Sequence, residues 1–221
     1  MNLKKNSKIE NLIDFDKSFE LYDVIGIDEA GRGTGAGDVF AAAVYFPQIT
    51  TEMRHNLENI DDSKKLSKNT RENLYEYITS CSVYSCKRAS IQEIDNINIL
   101  HASLLAMHRA AVGVLEQLDD SINPFLLIDG NKTLKEPPCP QTPIIGGDGL
   151  SFSIAAASII AKVERDKYMD ELAKDYPQYD WQENKGYFTQ KHRDAINCYG
   201  ITPYHRQSFF KKFFSTRTIE L

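Results

Sequence analysis

Little in this chain marks a specialised setting. None of the four cysteines, Cys81, Cys86, Cys139 and Cys198, forms a C-x-x-C pair, so neither a zinc knuckle nor a dithiol redox motif is encoded. They read as small buried or incidental thiols, in keeping with a reducing compartment. No apolar run approaches the roughly 20 residues that a membrane span requires. The opening M-N-L-K-K-N-S-K-I-E lacks the apolar core of a secretory signal. A cytoplasmic protein without membrane attachment is expected. There is no fixed-period repeat and no low-complexity tract. Nor is there an overall positive charge: 26 Lys and Arg face 31 Asp and Glu, for a net −5, which does not advertise a nucleic-acid binder.

What is present is ordinary in bulk and distinctive in detail. A chain of 221 residues with 42% hydrophobic and 26% charged content suits one globular domain with a full core, or one domain and a small appendage. The expected division is a loosely held polar lead-in over 1–20, a main body over 21–176 and a helical C-terminal segment over 177–221. The charge is unevenly spread. From Lys185 to Arg217 there are seven Lys or Arg and a single acid, Asp194, so an acidic body carries a basic tail able to meet phosphates locally. The charge run alone reads equally as a solvated helix face.

The stretch from 22 to 46 organises the rest. Val24-Ile25-Gly26-Ile27 reads as a buried strand. It ends in Asp28 and Glu29, followed by Gly31, Gly33, Gly35 and Gly37 and then by a second strand-like run, Val39 to Phe46. A glycine turn with free N–H groups attracts anions, yet two carboxylates stand beside it. A divalent cation between the acids and a phosphate resolves the conflict. A dinucleotide-binding loop is the rival, but that fingerprint opens a helix, and Val39, Phe40, Val44, Tyr45 and Phe46 favour a strand. A plain hairpin explains the glycines and leaves the acid pair unexplained.

Further along, Ser67 is an N-cap for a helix over about 68–79, and Val83 to Ala89 alternates as a strand. Leu100, Leu104, Met107, Ala111 and Leu115 give helical spacing over 97–118. His101 and His108 share a face of that helix but have no third ligand at i+3 or i+4, so they read as rim residues. Pro124 to Asp129 is a second buried strand ending in an acid and a glycine. Residues 136–143 read as a loop, and Gly146-Gly147-Asp148 delivers another acid before a helix over about 151–174. Pro203 separates two helices in the tail. The acids that end strands or sit in glycine turns are therefore Asp28, Glu29, Asp129 and Asp148. Hard, oxygen-seeking Mg²⁺ or Mn²⁺ is the counter-ion that would let them converge.

D-E-A-G-R-G, D-S-K-K-L-S, I-D-G-N, G-G-D, S-I-A-A-A-S-I-I-A-K-V-E-R-D, N-K-G-Y and H-R-Q-S-F, in this order over 26–209, together resemble ribonuclease HII. The resemblance implies an α/β fold, an RNase H-like mixed sheet flanked by helices, with a small helical C-terminal part completing the substrate cleft. It implies a monomeric endoribonuclease that hydrolyses RNA in RNA–DNA hybrids and incises 5′ of a ribonucleotide embedded in duplex DNA, leaving 3′-hydroxyl and 5′-phosphate ends. It assigns catalytic metal binding to Asp28, Glu29, Asp129 and Asp148, with Asp166 in support. It puts Gly31, Arg32, Gly33 and Tyr187 at the ribose 2′-hydroxyl, and Lys64, Lys65, Lys185, His205 and Arg206 at phosphates. The sister family, ribonuclease HIII, carries an extra N-terminal domain and lacks this arginine.

The chain departs from the resembled pattern in two places. Where P-L-A-G-P is usual after G-R-G, it reads Thr34-Gly35-Ala36-Gly37-Asp38, and Phe188 stands where a glycine commonly follows the tyrosine. These changes suggest a looser loop, and with it the alternative of a catalytically impaired nucleic-acid-binding protein of the same fold. Gln207 to Phe214 also fits a sliding-clamp box, although an amphipathic helix docked on its own domain accounts for it as well.

Overall fold

In the computed structural model, which describes residues 7–210, the strand carrying the acid pair is the middle of a five-stranded sheet. β1 (Asp23–Ala30) is flanked by β2 (Val39–Tyr45) and β4 (Pro124–Asp129), with β3 (Val83–Ala89) and β5 (Gln141–Ile144) outside them, in the order β3-β2-β1-β4-β5. β2 pairs antiparallel with both neighbours, whereas β4 runs parallel to β1 and to β5. β2 is buried along its whole length, because helices cover both faces of the sheet.

One face packs on α4 (Ile91–Leu115), where Ile25, Ile27, Ala41, Ala43, Leu126 and Ile128 meet Ala102, Ala106, Met107 and Ala110. The other packs on α5 (Phe152–Asp175), whose Phe152, Ala155, Ala156, Ile159 and Ile160 meet Ala42 and Val44. The approach of α5 depends on Gly26. A Cβ there would stand 2.1 Å from the backbone carbon of Ser153, so the first turn of α5 rests directly on β1. The acid that precedes the helix is thereby drawn to the strand end.

Several expectations are corrected. The lead-in is not loose over its second half: α1 (Lys8–Lys17) buries Ile9, Leu12 and Ile13, and Asp16 accepts from the backbone N–H and hydroxyl of Ser153. A short helical stretch, opened by a capping box of Ser90 and Glu93, precedes the expected helix. At Asn98 (φ 64, ψ 164) the chain leaves helical geometry, and the Asn98 side chain accepts from the Leu100 and His101 N–H groups to start the long helix close to where its spacing begins. α4 is thus two helices joined at a kink. Its 25 residues are apolar enough to cross a membrane by length and composition, yet that apolar surface is what covers the sheet. The loop expected over 136–143 ends in β5, where Pro143 is tolerated because the strand is at the sheet edge.

α2 (Thr51–Asn56) and α3 (Lys68–Cys81, capped by Ser67) lie on the α5 side. Past α5, the short α6 (Trp181–Asn184) and α7 (Gln190–Tyr199) build a third apolar cluster. In it Tyr179, Trp181, Ile196 and Phe210 pack on Met169 and Leu172 of α5. Another helix opens at Gln207, beyond Pro203.

Candidate active site

Strand register assembles the acids. Ile27 pairs with Ile128 across the parallel β1–β4 ladder, so Asp28 and Asp129 follow on adjacent strands. Side chains alternate along a strand. Ile27 and Ile128 face α4, so both aspartates face α5. Asp148 arrives from the 3-10 turn Gly147–Gly149, and the Gly147 N–H donates to Asp129 Oδ1 at 2.8 Å. Glu29 is partly buried, with its carboxylate 3.3 Å from Arg32.

These groups feel one another. Burial, then the charges of Glu29, Asp129 and Asp148, hold the Asp28 carboxyl well above its ordinary pKa. Burial also raises Glu29, with Arg32 and Lys64 opposing and Asp129 adding. Asp148 is raised by burial and by Asp129 and Asp62. Lys64 stands at this rim with Arg32 and Lys65: burial pulls its pKa down, but Asp28, Asp62, Asp148 and Asp129 outweigh it and raise it. Among the described residues no three carboxylates close into a ready ligand shell. Three are turned onto local donors instead: Asp28 onto the Glu29 N–H at 2.6 Å, Asp129 onto Gly147, Glu29 onto Arg32. An all-oxygen set, buried or half-buried, in which burial and neighbouring acids hold Asp28, Glu29 and Asp148 above their ordinary pKa fits a hard divalent cation.

Beside the acids lies the glycine loop. Gly31 takes φ 101, and a side chain there would collide with Arg165 Nε at 2.0 Å. Arg32 and Gly33 are exposed. Tyr187 is 46% exposed, and its ring edge lies 3.9 Å from where a Gly33 side chain would begin. Its backbone is fixed: the N–H donates to Asn184 O at 2.9 Å, and the carbonyl accepts from the Thr189 N–H and from His192 Nδ1.

Not every expected contact residue faces outward. His205 and Arg206 are buried, at 1% and 0% exposure, and are corrected from phosphate contacts to scaffold. Arg206 donates to the carbonyls of Gly37, Thr34 and Arg32. His205 Nδ1 accepts from the Thr202 N–H at 2.9 Å. The Lys185 ammonium is committed to Asp170. Lys65 is exposed, 3.5 Å from Asp61. Asp166 pairs with Lys162 at 2.7 Å and with Arg71 at 3.6 Å. Arg71 in turn holds the carbonyls of Ser63 and Leu66, so Asp166 supports the loop that carries Lys64.

Sequence reasoning missed Arg165 and Asp38. Arg165 is 1% exposed and donates to Thr34 Oγ1 and to the carbonyls of Ala36, Asp38 and Lys185. Asp38 accepts from the Ile91 N–H and lies in the fields of Arg88, Arg206 and Arg165. An arginine inside an alanine-rich buried helix was the available signal, since such a charge stays buried only when fully bonded. The loop expected to be loose is therefore buried over 34–38 and gripped by two guanidinium groups.

The sheet order, with helices on both faces and acids at its parallel strand ends, is that of the ribonuclease H fold. A sequence model described as "Ribonuclease HII" matches residues 25–216. A ribonuclease HII of Parabacteroides distasonis is 50% identical over 186 residues, 83% of this chain and 88% of the relative. One of Wolbachia sp. subsp. Brugia malayi is 46% identical over 205 residues, 92% and 96% of the two chains. Among solved structures, the ribonuclease HII of Archaeoglobus fulgidus, determined with PCNA, superposes with a TM-score of 0.65 at 23% identity. It covers 83% of this chain and 93% of its own. A ribonuclease HIII solved with Mn²⁺ gives 0.62 at 16% identity, with 90% and 69% coverage. The chain belongs to the ribonuclease HII family, and its activity is that of an endoribonuclease H.

Proposed function

We propose that Asp28, Glu29, Asp129 and Asp148 hold the divalent ions of the reaction, Mg²⁺ or Mn²⁺, and that the chain incises 5′ of a ribonucleotide in duplex DNA as well as RNA in hybrids. The observation that carries this reading is the meeting of Asp28 and Asp129 at neighbouring parallel strand ends, with Asp148 tied to Asp129 through Gly147. What a bound cation supplies is a water made acidic enough to attack and neutralisation of charge on the leaving oxygen, giving 5′-phosphate and 3′-hydroxyl ends.

The protein's own groups do the rest. Lys64, whose charge is favoured by the surrounding acids, would meet the substrate phosphate, with Lys65 on the same loop. The Gly31-Arg32-Gly33 backbone, exposed at Arg32 and Gly33, and the Tyr187 ring form the face on which a ribose would rest, so that a 2′-hydroxyl can be distinguished from a hydrogen. The C-terminal segment, by holding Tyr187, completes the cleft of a monomeric enzyme. The impaired-binder alternative drew on loop 34–38, and the grip of Arg165 and Arg206 removes its motive.

The Mn²⁺ complex of the ribonuclease HIII neighbour supports a metal requirement, and the PCNA complex of the archaeal neighbour bears on the clamp box at 207–214. In this chain Phe210 is 1% exposed inside its own core and Asp95 caps Gln207 and Ser208, while residues 211–214 lie outside the described residues. Clamp docking through this box would require Phe210 to leave that core. Capture on immobilised clamp, with and without residues 211–221, tests it.

The test of the main reading is incubation with duplex DNA holding one ribonucleotide, with Mg²⁺ or Mn²⁺, beside all-DNA duplex. One nick 5′ of the ribonucleotide, and none in all-DNA, supports the reading; binding without a nick contradicts it.

A further inference from the structure

The two departures from the family pattern touch each other. Gly35 stands where the pattern has a leucine, and Phe188 where it has a glycine. A Cβ on Gly35 would lie 2.0 Å from Phe188 Cζ and 2.5 Å from each Cε, so the ring points tip-first at the bare backbone. Gly35 takes no left-handed conformation. Space, not backbone freedom, demands glycine there. Bulk has moved from the loop to the turn beside it, which keeps the local volume filled.

The ring is held on its other sides as well. It stacks on His192 at 5.7 Å and 20° and meets Phe210 edge-on at 5.2 Å and 81°. His192 is the residue whose Nδ1 holds the Tyr187 carbonyl at 2.9 Å. The strands of chain that carry the contact are themselves joined, Gly35 N–H donating to Gly186 O at 2.9 Å. Adjacent residues thus point opposite ways, Phe188 inward between loop and histidine, Tyr187 outward beside Gly33.

We propose that Phe188 is a positioning residue for recognition of the ribonucleotide: seated on Gly35, its ring sets Tyr187 against the glycine loop. This rests on the reading of Tyr187 as the residue beside the ribose. A misplacement of about 1 Å at such a contact costs on the order of 10²-fold in rate.

The experiment is a double-mutant cycle on nicking of duplex DNA with a single ribonucleotide, reading kcat and KM separately. F188A alone is expected to lower kcat/KM by about tenfold or more, with F188L retaining most of it. In the Y187A background, removing the ring is expected to cost less than about twofold, because the effect travels through the tyrosine. Equal losses in both backgrounds would mean a merely structural ring and overturn the proposal. If Y187A alone cleaves like wild type, the proposal falls together with the Tyr187 reading. G35A is expected to impair nicking and G35A/F188A to recover part of it; a double variant no better than G35A contradicts the contact. Should F188A fail to fold, G35A with and without Y187A carries the same cycle, since it displaces the ring from the other side.

Discussion

Arg165 donates to Thr34 Oγ1 at 2.8 Å, from the middle of α5 into the loop that links β1 to β2. The same guanidinium reaches three carbonyls, two in that loop and one at Lys185. One side chain therefore fixes the glycine loop to the turn bearing Tyr187. Arg165→Met would leave buried acceptors without donors, at about 1–3 kcal/mol each. A loss of about 3 kcal/mol or more in urea unfolding is expected, together with a fall in nicking. Arg165→Lys, lacking the planar fork, should recover only a minor part.

The buried histidines give stability a pH dependence. Burial, then His192, pulls His205 down to about 3, and burial lowers His192 as well. Both are neutral in the fold and titrate near 6.5 when unfolded, so between those limits the unfolded chain binds more protons. Stability from this source is full above about pH 7 and is lost as pH falls, by about 2 kcal/mol for His205 between pH 7 and 5. The raised carboxyls of the acid rim act with opposite sign. The prediction is therefore a difference: relative to His205→Gln, wild type loses stability more steeply on acidification.

Charge at the rim destabilises the metal-free fold. Because the Asp28 carboxyl is held well above its ordinary pKa, ionising it at pH 7 is harder in the fold than in the unfolded chain. Asp28→Asn should raise the metal-free melting midpoint, where each 1 kcal/mol is about 2–4 °C for a chain of this size. Adding Mn²⁺ should raise the midpoint of wild type by linkage and that of the variant much less. Thermal scans with and without Mn²⁺ check both.

Much of this was legible in the residues. β1 and β4, with the acids at their ends, follow from apolar runs closed by Asp and glycine; β2 follows from the apolar run before Pro47 and β3 from its alternation. α3 follows from Ser67 as its cap, and α5 from the alanine-rich apolar run that opens it. What was not legible depends on tertiary partners. α1 is polar on its outer face, and its docking shows only in the fold, where Ile9, Leu12 and Ile13 are buried and Asp16 accepts from Ser153. β5 contains a proline that reads as a breaker until the sheet edge is known. His205 and Arg206 are basic, and nothing local says that they point into the protein. Loop 34–38 looks flexible because its partners, Arg165, Arg206 and Phe188, lie more than a hundred residues away.

The most direct test of the acid site is Asp129→Asn on duplex DNA containing one ribonucleotide. Cleavage should fall by about 10²–10³-fold or more, while duplex binding stays close to that of wild type. Turnover at the wild-type rate would take Asp129, and the cation it is held to share with Asp28, out of the mechanism.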